Sequence, residues 1–242
     1  MKVQLFIPCF VDQLFPDVAF NMVKVLEKAG CEVHYNPNQT CCGQPAFNAG
    51  FWGESREVCN KFMDDFTGND PIVAPSASCI GFVKNYYSKL YENSAQQQRA
   101  RKISEQVYEL SDFLVNKLGV TNLGARFEGK VTYHDSCAAL RECNIKQEPR
   151  VLLQQVAGLE LIEMADTETC CGFGGSFAVK FEPISIAMGD QKITHATATG
   201  ADYIVSTDMS CLMHIDGCLK HKHSGLKVLH LADVLASEGR EA

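Results

Sequence analysis

Two short stretches decide how the chain is read: Thr40-Cys41-Cys42-Gly43-Gln44-Pro45 and Thr169-Cys170-Cys171-Gly172-Phe173-Gly174-Gly175. Adjacent cysteines followed by glycine, twice, 129 residues apart, point to an internal duplication, and the flanking sequence agrees. Upstream, Cys9 matches Cys137 at an offset of 128; downstream, Cys79 matches Cys211 at an offset of 132. Ala29-Gly30-Cys31-Glu32-Val33 matches Ala157-Gly158-Leu159-Glu160-Leu161, and Leu110-Ser111-Asp112-Phe113-Leu114 matches Leu231-Ala232-Asp233-Val234-Leu235. Matched features in one order predict two similar units, 1–126 and 127–242, rather than a solenoid, which needs three or more repeats. The boundary falls between Gly124 and Gly129.

Each unit carries the same alternation of strands and helices. Val3 to Pro8 is a short apolar run, as expected of a buried strand. Apolar residues at helical spacing (Val18, Met22, Val25, Leu26, Ala29) predict a helix over 17–29, stopped by Gly30. Strands follow at 32–35 and 72–74, separated by a helix over 48–66, and a further helix is expected over 103–118. The second unit repeats the plan: strands at 130–134, 159–164 and 203–206, a helix after Pro149, and a helix over 183–199. This pattern predicts an α/β fold of two pseudo-symmetric repeats, each a small parallel sheet flanked by helices. Every motif cysteine lies just past the C-terminal end of a predicted strand, the edge where open α/β sheets bind ligands.

Hydrophobic residues make up 46% of 242 residues, enough for a substantial core, and the net charge is −7 with no block of like charge. Nucleic acid is excluded as a partner, since phosphate binding needs a basic stripe. No apolar run reaches the roughly 20 residues that cross a bilayer. The segment from Lys2 to Pro8 is a strand rather than a signal peptide. These features predict a cytoplasmic protein with no direct membrane insertion.

Twelve cysteines are therefore unexpected as disulfides, and clustered thiols in a reducing compartment point to metal or redox chemistry. Soft thiolates select iron–sulfur clusters, zinc or Cu(I). Structural zinc favours two close Cys-x(2–4)-Cys pairs; here the spacing is one, two and one per unit. Four thiols per unit, Cys9, Cys41, Cys42 and Cys79, then Cys137, Cys170, Cys171 and Cys211, match the number that holds an iron–sulfur cluster. Gly43 and Gly172 leave room for backbone amides to approach the sulfurs.

At these residues the sequence resembles the cysteine-rich CCG domain family, which includes the CCG-bearing subunit of heterodisulfide reductase and the iron–sulfur subunits of glycolate oxidase and anaerobic glycerol-3-phosphate dehydrogenase. The likeness covers nearly the whole chain, including Cys42-Gly43-Gln44-Pro45, Cys170 to Gly175 and Ser210-Cys211-Leu212-Met213-His214. Among family members it is greatest to those of L-lactate utilization. It implies one [4Fe–4S] cluster per repeat and an electron-transfer component of an L-lactate oxidising system, inactive alone and partnered by other subunits, including a ferredoxin-like iron–sulfur protein. The same resemblance also allows a thiol/disulfide oxidoreductase, or an iron–sulfur subunit of a glycolate or glycerol-3-phosphate oxidising enzyme. A zinc- or cluster-stabilised scaffold is the non-catalytic alternative. The family motif ends in Cys-x-x-Cys; here Ser76 and Asp208 replace the first cysteine of that pair.

Ser76 and Asp208 are expected as helix N-caps, with ligation the sharper alternative. His134 and His214 flank motif cysteines and are expected to pack or to hydrogen-bond a cluster sulfur, or else to replace a ligand. Cys31 and Cys59 are expected as inert buried thiols, Cys143 and Cys218 as surface thiols, and Trp52 as core.

Overall fold

A computed structural model describes residues 1–239. In the first half the order is β1 (Lys2–Leu5), α1 (Cys9–Leu14), α2 (Pro16–Lys28), β2 (Glu32–Tyr35), α3 (Gln44–Asn48), α4 (Trp52–Asp65), β3 (Ile72–Ala74), α5 (Ala77–Tyr86), α6 (Ser94–Ser104), β4 (Val107–Glu109) and α7 (Leu110–Asp112). The second half runs β5 (Arg126–Tyr133), α8 (Cys137–Glu142), α9 (Glu148–Leu153), β6 (Ala157–Leu161), α10 (Ser176–Lys180), α11 (Glu182–Thr197), β7 (Tyr203–Ser206), α12 (Met209–His221), β8 (Lys227–His230) and α13 (Leu231–Ala236).

The strands form two four-stranded parallel sheets, ordered β2-β1-β3-β4 and β6-β5-β7-β8. This is the expected α/β fold in duplicate. β1 is flanked by β2 on one side and β3 on the other, so the order reverses at the β1/β3 junction, and a crevice opens outside the carboxyl ends of those two strands. β5 and β7 repeat the arrangement. The helix expected at 17–29 is α2, with Pro16 at its first turn and Val18, Met22, Val25 and Leu26 buried on one face. Gly30 closes it at φ +79°.

The single helix expected over 103–118 is interrupted by strand β4 after the end of α6, and helical structure resumes as α7 and a π-helical turn over Phe113–Lys117. The three residues of β4 pair with β3, with Val107 and Glu109 buried and Tyr108 between them. A period of two cannot be recognised over three residues; pairing with a neighbouring strand decides it. β8, four residues long and not expected from its sequence, is the second-half counterpart.

One apolar cluster joins the halves, with Val3, Leu5, Met22 and Leu26 in the same core as Val131, Ile204, Leu212 and Val234. α13 packs against α2, and reciprocally α9 packs against α7; likewise α8 packs against α5, and α1 against α12. Among the described residues no helix is long and apolar enough to cross a membrane.

Candidate metal centre

The eight motif cysteines converge. Cys9 and Cys137 are the first residues of α1 and α8, immediately after the central strands, and Cys79 and Cys211 are the third residues of α5 and α12. The Cys41-Cys42 and Cys170-Cys171 pairs lie on the loops that follow β2 and β6. All eight line one cavity of about 540 Å³ between the sheet ends, together with Phe10, Phe173, Gln44 and Gly174.

Within that cavity they sort into two quartets. Cys9 and Cys41, Cys41 and Cys42, and Cys42 and Cys79 are linked in turn, each thiol close enough to bias its neighbour's proton. Cys137, Cys170, Cys171 and Cys211 form the same chain of contacts. The thiols share protons unequally. Hydrogen bonds from Cys42 and Cys9 hold Cys41 down at about 3, and those from Cys137 and Cys171 hold Cys170 down at about 2. Cys9, Cys42, Cys137 and Cys171 are pushed up, first by their hydrogen bond to the neighbouring thiolate and then by burial. One sulfur in each quartet is thus held as a thiolate, the form that binds metal.

The vicinal loops are built alike. Gly43 and Gly172 sit at φ +91° and +97°, and their N–H groups point at Cys41 Sγ and Cys170 Sγ, at 3.3 Å and 3.4 Å. Their carbonyls accept from Ser55 Oγ at 3.0 Å and Ser185 Oγ at 2.8 Å. Cys42 O accepts further from Tyr87 Oη at 2.8 Å. Ser55 and Ser185 were not singled out from the sequence, although their recurrence twelve and thirteen residues after the motif glycine was a legible signal.

Asp208 is the N-cap of α12, as expected: its Oδ1 accepts from Ser210 N–H and Ser210 Oγ. Its Oδ2 accepts from Ser78 N–H at 2.9 Å, at the start of the other half's helix α5. Ser76 makes no side-chain cap of its own; it forms an antiparallel bridge to Asp208. The two positions where the family motif has cysteine therefore face each other across the seam.

His134 is fully buried, and neither ring nitrogen has a hydrogen-bond partner among the described residues. A ring nitrogen, Cys171 Sγ and Cys211 Sγ all lie within 4.8 Å of one another. Burial, reinforced by the nearby Lys192 ammonium, holds the imidazole down at about 3, so it is neutral. An unpaired buried polar group costs roughly 1–3 kcal/mol, a penalty that a group bound by the adjacent thiols would relieve. His214 Nε2 contacts Ser185 O at 3.3 Å and Ser185 Oγ at 3.4 Å, beside the loop. Four sulfurs in hydrogen-bonding reach, backbone N–H groups aimed at sulfur and an orphaned imidazole fit an iron–sulfur or other thiophilic metal group.

A family model described as a cysteine-rich domain, CCG, matches residues 3–84 and 131–216. The chain belongs to the CCG cysteine-rich domain family. It is 43% identical over 240 residues to lactate utilization protein A of Halalkalibacterium halodurans, covering 99% of this chain and 98% of that protein. It is 41% identical over 235 residues to the protein of that name from Oceanobacillus iheyensis, covering 97% and 96%. Among solved structures, a hypothetical protein from Helicobacter pylori shares the fold at a TM-score of 0.59 and 12% identity, over 97% of this chain and 48% of that one.

The remaining cysteines of this CCG chain are free among the described residues, and several differ from expectation. Cys59 is a buried thiol, as expected, but it lies beneath the first loop, its thiol 3.8 Å from Cys42 O, and burial pushes it up to about 12. Cys143 is not a surface thiol: it points inward at Ala77 O and is likewise pushed up to about 12 by burial. Cys218 is buried against Gly189. Trp52, expected in the core, is 60% exposed and stacks on Phe47.

Proposed function

We propose that the chain is an iron–sulfur electron-transfer component of an L-lactate oxidising system, with one [4Fe–4S] centre held by each cysteine quartet. The observation that carries the reading is the pair of thiol quartets opening on one cavity. The names of the relatives supply the substrate. Such a centre, when bound, supplies one-electron transfer. Cys9, Cys41, Cys42 and Cys79 would hold one, and Cys137, Cys170, Cys171 and Cys211 the other. Gly43 N–H and Gly172 N–H would hydrogen-bond the ligating sulfurs, and Phe10 and Phe173 would help to keep water from the cavity.

Oxidising a 2-hydroxy acid to a 2-oxo acid removes two electrons and two protons, the hydroxyl proton going to a base and the other leaving with the electron pair as hydride, a step normally carried by a flavin or nicotinamide. No G-x-G-x-x-G fingerprint followed by an acidic residue occurs in the sequence. The hydride acceptor therefore belongs to another subunit, and a ferredoxin-like subunit is the natural relay. A net charge of −7 favours docking to a basic surface. Free thiols in this number suit the cytoplasm.

The test is purification without oxygen, followed by iron, sulfide and zinc analysis, EPR, and a dye-linked lactate assay. The expected result is about eight irons with matching sulfide, and lactate-dependent dye reduction only when neighbouring subunits are added. Cys42→Ser and Cys171→Ser should each lose one centre and retain the other, whereas Cys59→Ser should lose neither. Stoichiometric zinc without sulfide, or lactate oxidation by the chain alone, would overturn the proposal.

A further inference from the structure

The two quartets are alike, but what surrounds them is not. Phe6 and His134 occupy equivalent positions: each follows the central strand and donates its N–H to the neighbouring strand, to Val73 O and Val205 O respectively, both at 2.9 Å. Phe62 on α4 and Lys192 on α11 are likewise equivalent, since Ser55 and Ser185, seven residues before them, make the same bond to the motif-glycine carbonyl. Phe82 and His214 each lie three residues after the last motif cysteine.

In the first half, Phe6 and Phe62 pack edge to face with ring centroids 4.9 Å apart. In the second half the same two positions hold an imidazole and an ammonium, both buried to within 1%. Lys192 Nζ donates to Asp166 O at 2.6 Å and Thr167 O at 3.1 Å, on the loop that leads into Cys170. A nitrogen of His134 lies within 4.8 Å of Cys171 Sγ and Cys211 Sγ, with no partner among the described residues. An apolar pair behind one quartet is thus replaced, at both positions together, by a nitrogen donor and a cation behind the other.

Three acidic groups near the second quartet act in the opposite sense. Asp135 is paired bidentately with Arg150, both bonds at 2.9 Å. Asp166 is largely exposed, so solvent screens it. Asp208 lies on the seam, its oxygens accepting from N–H groups of both halves' helices, and its charge bears on Cys137 of the second quartet against the effect of Lys192.

We infer that His134 and Lys192 make the two centres inequivalent, with the second-half centre at the higher potential and therefore the electron acceptor of the pair. Reduction adds one negative charge. A nitrogen donor or a cation beside the sulfurs stabilises that charge, and a phenylalanine does not. If His134 ligates instead, the direction is unchanged, as histidine in place of cysteine also raises a potential. One electron leaves the first-half centre and one arrives at the second, with no proton moved. The original electron comes from a one-electron carrier subunit, and dithionite replaces it in vitro.

The inference rests on the reading that each quartet holds an iron–sulfur centre, and one experiment separates the two. The full chain, loaded without oxygen, is titrated with dithionite and followed by EPR, with Cys42→Ser and Cys171→Ser assigning the signals. The expected result is a second-half centre reduced first. His134→Phe and Lys192→Met should each lower its reduced-to-oxidised ratio at fixed potential by tenfold or more, about 59 mV for one electron, while the first-half centre does not move. Nitrogen hyperfine coupling on the second-half signal should disappear in His134→Phe. If His134→Phe fails to load, Lys192→Met decides. Two centres of equal or reversed potential, or variants that shift neither, would overturn the inference and leave the iron–sulfur reading intact. Absence of iron and sulfide would overturn both.

Discussion

A methyl group added at Gly172 would sit 2.5 Å from Ser185 O and 2.9 Å from Met188 Cβ. At Gly43 the nearest atom is Ser55 O, at 3.2 Å. Both residues have positive φ, which alone disfavours a side chain by about 1–2 kcal/mol. Only Gly172 adds a clash with backbone, and overpacking of that kind costs about 1–3 kcal/mol more. Gly172→Ala should therefore destabilise by about 2–4 kcal/mol and Gly43→Ala by about half of that, measured by urea unfolding of the metal-free protein. Equal losses would show that the second loop shifts to accommodate the methyl. The motif glycines were legible in the sequence as places of close approach. The serines that hold their carbonyls recur in both halves of the sequence, but only the folded loop shows what that recurrence is for.

At the scale of the element, the helices that carry Cys79 and Cys211 depend on a single carboxylate. Asp208 accepts from Ser78 N–H of α5 and from Ser210 N–H of α12. Losing one N-cap costs about 1 kcal/mol, so Asp208→Ala should cost roughly 2–3 kcal/mol in urea unfolding, and a loss well under 1 kcal/mol would deny the double cap. Glu109 ends β4 and caps α7, accepting from Ser111 N–H at 2.8 Å and from the Ser111 hydroxyl. Its other oxygen has no partner among the described residues, and burial pushes the carboxyl up to about 7. The folded state thus holds a proton that the unfolded chain releases near the ordinary carboxylate range. The stability this contributes is complete below about pH 4.5 and is lost as pH rises through about 7. At about 1.36 kcal/mol per unit of pKa, the loss is at most roughly 3 kcal/mol. The stability of wild type relative to Glu109→Gln, followed from pH 4 to 8, should fall over that window; a flat difference would contradict it.

For the whole molecule, the decisive feature is that the core does not respect the repeat boundary. Met22 and Leu26 of α2 share a cluster with Val234 and Leu235 of α13. Reciprocal packing of α9 on α7 makes the exchange pseudo-symmetric. Each half alone would expose the apolar face that the other covers. The chain should unfold in one calorimetric transition, with calorimetric and van't Hoff enthalpies in agreement, and residues 1–126 expressed alone should give no cooperative melt. Two separated transitions would show that each repeat is an independent domain.

The duplicated cysteine pattern by itself determined the repeat and the thiols worth attention, and the alternation of strands and helices determined the parallel α/β class, because local periodicity and motif spacing survive in one dimension. Strands 72–74 and 203–206 were legible from short apolar runs between turns, and 32–35 from its place between Gly30 and the Cys41-Cys42-Gly43 loop. β4 and β8 were not, since Val107-Tyr108-Glu109 and Lys227-Val228-Leu229-His230 mix polar and apolar residues and only pairing with β3 and β7 makes them strands. The order of the quartets around one cavity, the double cap at Asp208 and the contrast between Phe6–Phe62 and His134–Lys192 were decided only by the tertiary structure. Each depends on groups more than thirty residues apart meeting in a buried space, where the missing solvent makes a hydrogen bond or a charge count for far more than it does along the open chain.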